Sequence, residues 1–127
     1  NFQEEIFIGS NREGLANVYE SIQSRGFGHL IVMGKGGIYT EVYKDLAYQL
    51  LPSTRDELKN AFLRTNVSKI ILGTRGQEPL ALEKIVDALE KIQRLLLLYP
   101  MIKSIDINPL LVTKDRAVSV DIKIFVA

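Results

Sequence analysis

Apolar residues recur along the chain at two spacings, which predict helices in some segments and strands in others. The longest helical pattern lies between Pro79, which suits a first helical turn, and Pro100, which ends the helix. Its apolar face consists of residues three or four positions apart: Leu82, Ile85, Val86, Leu89, Ile92 and Leu96. Acidic and basic residues four positions apart occupy the other face, so we expect one buried and one solvated side.

Shorter apolar patterns precede this helix. Thr54 and Glu57 have the spacing of a capping box, and the apolar residues after them predict a helix that ends near Asn66. Residues 11–26 have apolar positions at helical spacing, which predicts a short amphipathic helix. Between the capped helix and the long one, residues 67–72 form a nearly continuous apolar run that predicts a buried strand.

Five further segments have the β-branched or alternating character of strands: residues 4–9, 29–33, 38–43, 102–112 and 117–126. The second and third flank a glycine-rich turn and predict a hairpin, as do the last two. Strands joined as hairpins favour an α+β fold with a mostly antiparallel sheet packed by two main helices. We expect residues 1–127 to form a single domain that is part of a larger subunit, because the first strand begins so close to the first residue.

The register of the final hairpin can be argued from its side chains. If its turn centres between Lys114 and Asp115, opposite residues have numbers that add up to 229, as those two do. That register places apolar residues opposite each other: Ile107 and Ile122, Ile105 and Ile124, Leu111 and Val118. A slip of one residue would destroy the match, so the pattern predicts this register.

The same register brings two oxygen-bearing side chains together. Asn108 lies opposite Asp121 on the face away from the apolar residues, with Cβ atoms roughly 5 Å apart. An amide and a carboxylate oxygen suit magnesium when phosphates and water complete its coordination. The alternative is that both side chains are solvated on an exposed hairpin. Pro109 indicates an edge strand or a bulge here, and Asp106 would oppose Lys123 as a surface ion pair or as a group near the metal.

Composition and charge exclude several classes of function. Sixteen basic and fifteen acidic residues leave a net charge of +1, so no basic surface argues for nucleic acid. The absence of cysteine excludes disulfides, thiolate metal sites and thiol redox chemistry. Residues 95–99 form the longest apolar stretch, too short to span a membrane, and no signal peptide is recognisable. We therefore expect a cytoplasmic protein that binds neither nucleic acid nor a membrane.

Three other features are weaker candidates for chemistry. Residues 34–37 are rich in glycine and could present N–H groups to phosphate or form a simple hairpin turn, but they lack the ending of a P-loop. Residues 73–76 connect two predicted elements, and Arg75 among them could reach an anion. His29, the single histidine, lies in an apolar strand and is expected to be a packed residue.

Taken in order, these segments resemble the ATP-grasp domain of the ADP-forming acyl-CoA (acetyl-CoA) synthetases, in the C-terminal part of the ATP-binding (beta) subunit. The resemblance covers nearly all of the chain outside residues 11–26. Its most specific part is the Asp-Ile-Asn-Pro-Leu element at residues 106–110, with Asp121 downstream. The other matching elements are residues 5–9, 27–28 and 33–38, Glu41, Asp45, residues 51–52 and residues 73–76.

The resemblance implies that Asn108 and Asp121 hold the magnesium of MgATP or MgADP. Four further residues would lie at the nucleotide: Glu5, Gly36, Gly37 and Glu41. The implied activity is that of an acid–thiol ligase, which couples acyl-CoA cleavage to ATP formation together with a CoA-binding subunit or domain. The family's second ATP-grasp lobe has no counterpart in this sequence, so the isolated chain is expected to be inactive.

Departures from the family pattern leave a second function open. Gln49 stands where the family has arginine, and Ser104 stands where it has an acidic residue. His29 does not match the family's phosphorylated histidine, so a phosphohistidine relay would reside on another domain. The departures favour a noncatalytic nucleotide-binding or assembly module that retains the ATP-grasp fold.

Overall fold

A computed structural model describes residues 3–11, 29–36, 45–73 and 76–126. The described part is an α+β fold in which one six-stranded sheet is packed by helices. The strands are β1 (Glu4–Asn11), β2 (Leu30–Lys35), β3 (Ala47–Leu50), β4 (Ile102–Val112), β5 (Ala117–Ser119) and β6 (Ile122–Val126). The helices are α1 (Arg55–Leu63), α2 (Val67–Ile71) and α3 (Leu82–Leu98).

All described strand pairs are antiparallel, and the sheet order is β3-β2-β1-β4-β5, with β6 also paired to β4. Strands β5 and β6 therefore follow one another along the same side of β4. Pairs such as Ile107 with Ile122 and Leu111 with Val118 confirm the predicted register of the final hairpin. The predicted antiparallel α+β fold with two main helices is also confirmed.

One face of the sheet carries the hydrophobic core. Alternate residues of β1 and β4 are buried there against α1 and α3, because successive side chains of a strand point to opposite faces. The residues of α3 that pack on the sheet have the predicted helical spacing, and Phe62 of α1 is fully buried among them. The sheet residues in this core include Ile6, Ile8, Ile31, Met33, Ile105, Ile107, Leu110 and Val112.

Polar contacts join α1 to α3 along the outer side of the helical layer. The Arg55 guanidinium contacts the carboxylates of Asp87 at 2.8 Å and Glu83 at 2.9 Å, and it also contacts Glu90. Lys59 adds a contact of 2.7 Å to Glu83. The polar side of the long helix is therefore not wholly solvated. Asp87 and Glu90 contact Arg55, the first residue of α1.

The predicted strand at residues 67–72 is wrong, because Val67–Ile71 forms the short helix α2. The carboxylate of Asp45 accepts hydrogen bonds from the backbone N–H groups of Asn66 and Val67, which are unsatisfied at a helix start. Only part of the apolar run is buried, at the helical spacing of Val67 and Ile71, whereas Leu72 is exposed. A short apolar run does not distinguish a strand from a helix.

Other expectations are corrected or lie outside the described residues. The long helix begins at Leu82 rather than at Pro79, which belongs to the preceding loop. Strand β2 extends to Lys35 and pairs with Ala47–Leu50, beyond the predicted partner at residues 38–43. That predicted partner and most of the helix predicted at residues 11–26 are not among the described residues. Within the described part, no helix has the length and apolar character that crossing a membrane requires.

Candidate functional site

Asn108 and Asp121 lie opposite each other across the final hairpin. The Asn108 N–H donates to the Asp121 carbonyl oxygen at 3.2 Å, and the Val120 N–H donates to the Pro109 carbonyl oxygen at 3.1 Å. Both bonds join residues whose numbers fit the predicted register. Cross-strand neighbours have Cβ atoms about 4.5–5.5 Å apart, so the two side chains are within reach of one small ion.

A β-bulge shapes the backbone at this pair. In the pairing of β1 with β4, Ile8 opposes Ile107 and Ile6 opposes Leu110, so the single residue Phe7 faces both Asn108 and Pro109. The prediction that Pro109 marks an edge or a bulge is confirmed as a bulge in an interior strand. Because one extra residue is inserted, Ile107 and Leu110 are both buried in the core, whereas the two residues between them are only partly buried.

The exposure and chemistry of the pair fit a magnesium ion that a nucleotide brings. Asp121 is exposed and Asn108 is partly buried, so a ligand can approach the hairpin from solvent. The described residues contain no group of three or more His, Cys, Asp or Glu side chains that could hold a metal alone. Two protein oxygens suit magnesium, which is usually bound by one or two side chains together with phosphates and water.

Asp106 and Lys123 are opposite each other in the register, next to the Asn108–Asp121 pair. Both side chains are exposed. The ion pairs within the described part of the chain do not include these two residues. The structure therefore favours two solvated charges beside the pair over a surface ion pair.

Glu5 and Gly36 are brought together by the pairing of β1 with β2. The Gly36 N–H donates to the Glu5 carbonyl oxygen at 2.9 Å. This hydrogen bond occupies the N–H group that a bound phosphate would otherwise accept from. Glu5 is partly buried and lies two residues from Phe7, so it is roughly 7 Å along the strand from the bulge. Gly37 and Glu41, the other two residues predicted at the nucleotide, lie outside the described residues.

An ion pair beside these residues was not predicted. Lys35 contacts the carboxylate of Glu4, whose side chain is largely buried at the end of β1. Glu4 also accepts a hydrogen bond from the Glu5 N–H at 2.9 Å. The two partners are 31 positions apart, and only the pairing of β1 with β2 brings them together. The one available signal was the presence of a charged residue, Lys35, within the glycine-rich residues 34–37.

His29 is a packed residue, as predicted. It is buried, and its Nδ1 atom lies 2.8 Å from the hydroxyl of Ser10, which is also buried. This hydrogen bond joins β1 to the residue before β2 inside the protein, so His29 is not exposed to a phosphoryl group in solution. Arg75, the other candidate for anion contact, is outside the described residues.

Comparison with known proteins assigns the fold to a family. A family model for the ATP-grasp domain matches residues 10–126. The beta subunits of the ADP-forming acetate–CoA ligases I and II of Pyrococcus furiosus are 34% and 37% identical to the chain, over 100 and 116 residues. The matches cover 79% and 89% of this chain but 43% and 48% of those subunits. The chain thus spans about half the length of these relatives.

A solved structure agrees with these matches. It is the dinucleotide-forming acetyl-coenzyme A synthetase 1 of Ca. Korarchaeum cryptofilum, in complex with coenzyme A and Mg-AMPPCP. The structures agree with a TM-score of 0.81 and 25% sequence identity, over 98% of this chain and 53% of that one. The chain therefore belongs to the ATP-grasp domain family and is related to the beta subunits of ADP-forming acetate–CoA ligases.

Proposed function

We propose that this chain is the magnesium-holding lobe of an ADP-forming acyl-CoA synthetase. The observation that carries the proposal is the cross-strand pairing of Asn108 with Asp121 at a β-bulge. In this role the amide oxygen of Asn108 and the carboxylate of Asp121 hold the magnesium of MgATP or MgADP. Glu5, Gly36, Gly37 and Glu41 form the wall near the nucleotide. The Mg-AMPPCP bound by the related Korarchaeum enzyme supports this assignment.

The reaction is the reversible conversion of acyl-CoA, ADP and phosphate to free acid, CoA and ATP. Bound magnesium neutralises phosphoryl charge, and this lobe positions the nucleotide through the paired side chains. A second lobe closes over the nucleotide, and a CoA-binding subunit or domain carries out acyl transfer. The whole assembly works in the cytoplasm. The relation to acetate– and 4-hydroxybutyrate–CoA ligases supports a carboxylic acid as the substrate class.

A chimeric enzyme tests the proposal. The chain replaces the matched 116 residues of the Pyrococcus furiosus ligase II beta subunit, and calorimetry measures ADP binding with and without magnesium. Asn108→Ala with Asp121→Ala should weaken the magnesium-dependent affinity at least about tenfold, or about 1.4 kcal/mol. The matched control is Asn60→Ala with Asp115→Ala, which removes one exposed amide and one exposed carboxylate elsewhere. Equal binding by both double variants would disprove the metal site.

The same chimera separates the ligase from the rival noncatalytic module. CoA-dependent formation of ATP from acyl-CoA, ADP and phosphate supports the ligase. Magnesium-dependent ADP binding without turnover supports a nucleotide-binding or assembly module. Gln49 bears on this comparison, because its side-chain N–H donates to the Ser53 hydroxyl at 2.8 Å and so stabilises the loop after β3. Gln49→Arg should leave turnover unchanged if the glutamine has only this structural role.

A further inference from the structure

A cleft lies between α3 and the β5–β6 side of the sheet. It has a volume of about 370 Å³, and its floor includes the buried Leu110. Lys84 and Lys91 of α3 line one wall, and Arg116 lines the other. Two acidic residues, Asp87 and Asp115, also line the cleft, but the Asp87 carboxylate is bound by Arg55 at 2.8 Å. This end of the cleft therefore presents more available positive than negative charge.

Beyond the cleft, the same face of the sheet is apolar and, within the described part of the chain, exposed. Ile122 and Ile124 of β6 oppose Ile107 and Ile105, whose side chains are buried in the core. Ile122 and Ile124 nevertheless remain 50% and 48% exposed, and Val126 at the end of the strand is 64% exposed. The core face of the sheet thus continues onto β6, and none of the described helices covers it there.

Strand β6 is also unprotected along its backbone. Among the described residues it pairs only with β4, so its other side carries unpaired N–H and C=O groups. Native proteins usually protect such edges with charges, proline or a covering element. Lys123 is the only charged residue in β6, and no proline occurs in it. An apolar edge of this kind is expected to be covered in the working protein.

The helical wall continues the surface. Leu98 lies seven positions after Lys91 on α3, which is two helical turns and therefore the same side of the helix. Its side chain is 63% exposed. We group the cleft and the apolar residues beyond it as one surface, with Lys84, Lys91 and Arg116 at its charged end and Leu98, Ile122 and Ile124 at its apolar end. We call it the α3–β6 groove.

We propose that the α3–β6 groove is the docking site for an amphipathic helix with acidic residues at one end. This helix belongs to the half of the synthetase subunit that the relatives contain outside the match, since the chain spans only 43% and 48% of those subunits. A helix fits because helices already cover the rest of this face and a further one would lie beside α3. Its apolar stripe covers Ile122 and Ile124, and its acidic end meets the lysines and Arg116.

Binding between separate polypeptides tests this proposal. The probe is the region of the Pyrococcus furiosus ligase II beta subunit outside the match, produced separately, shown by circular dichroism to be folded, and titrated onto this full chain without nucleotide. Ile122→Asp with Ile124→Asp should weaken binding at least about tenfold, because it places charges against an apolar surface. Leu72→Asp is the control, since Leu72 is also 50% exposed but lies after α2.

Further measurements distinguish the outcomes. Lys91→Glu with Arg116→Glu should also weaken binding and reduce its dependence on salt, and these exposed positions leave the core intact. Asn108→Ala with Asp121→Ala should leave docking unchanged, which separates this proposal from the nucleotide site. Absence of saturable binding, or equal binding by all variants, would overturn the proposal. So would self-association of the chain that Ile122→Asp abolishes, because the occupant would then be a second copy.

Discussion

Gly36 shows how the role of a single residue depends on its neighbours. Its sequence context suggested either a phosphate-binding loop or a hairpin turn, and both readings relied on the flexibility of glycine. In the structure, a Cβ atom at Gly36 would lie 2.7 Å from the carbonyl carbon of Ile6 and 2.8 Å from the nitrogen of Phe7. The absence of a side chain therefore lets the ends of β1 and β2 approach each other. This approach depends on pairing between distant segments, which no local pattern reveals.

Gly36→Ala should lower the free energy of unfolding by about 1–3 kcal/mol, because backbone atoms must move to accommodate the methyl group. Urea denaturation followed by circular dichroism measures the change. Ser119→Ala, at an exposed position of the same sheet, should change stability by less than about 0.5 kcal/mol. Equal effects of the two substitutions would show that the contact is not as tight as the structure indicates.

At the scale of elements, the patterns with several independent signals were predicted correctly. The capping box and the helix after it are both present, with the Thr54 hydroxyl accepting from the Glu57 N–H at 3.1 Å. The register of the final hairpin was predictable because apolar and polar residues alternate on both strands. Helix α2 was missed because its start depends on Asp45. The two N–H groups that donate to the Asp45 carboxylate lie 21 and 22 positions further along the chain.

Thr54→Ala should lower the free energy of unfolding by about 1 kcal/mol, because it leaves an N–H group of the first helical turn without its side-chain acceptor. Thr54→Ser keeps the hydroxyl and should change stability by only a few tenths of a kcal/mol. Urea denaturation measures both variants. A loss for serine as large as that for alanine would show that packing of the threonine methyl, rather than capping, stabilises the helix.

The contacts between α1 and α3 should make stability depend on pH in the acidic range. Hydrogen bonds from Lys59 and then Arg55 lower the pKa of Glu83. Contacts with Glu83, Glu90 and Asp87 raise the pKa of Arg55, which stays charged at all pH values of interest. The Glu83 carboxylate therefore contributes stability above its unfolded-state pKa of roughly 4.3, and this contribution is lost as the pH falls through the lower folded-state pKa.

As the pH falls from about 5 to about 3, the urea midpoint of the Glu83→Gln variant should decrease less than that of the unsubstituted chain. The control is Glu78→Gln, because Glu78 lies 3.9 Å from Lys114 in an exposed pair that should contribute little. High salt should reduce the difference between the variant and the parent. A Glu83→Gln profile parallel to that of the parent would contradict the assigned cause.

At the scale of the whole molecule, the fold class and the cross-strand pairing of Asn108 with Asp121 were predictable, whereas the contacts around this pair were not. Asn108 and Asp121 belong to one hairpin, so the alternation of two adjacent strands was sufficient to place them together. Glu4 and Lys35 are 31 positions apart, and their contact follows from the order of strands in the sheet. The exposure of the apolar residues of β6 depends on which helices cover the sheet, so it could not be predicted from the sequence.

We propose that Asn108 and Asp121 together bind the divalent cation of a nucleotide, and paramagnetic broadening can detect this binding at the level of single residues. Manganese takes the same carboxylate and carbonyl ligands as magnesium and broadens the NMR signals of nearby amides. Titration of the full chain with manganese and ADP should broaden first the amide signals of Asn108, Asp121 and Ile122. Asn108→Ala with Asp121→Ala should abolish that effect. Broadening centred on the carboxylates around Arg55, with the hairpin signals unchanged, would contradict the claim.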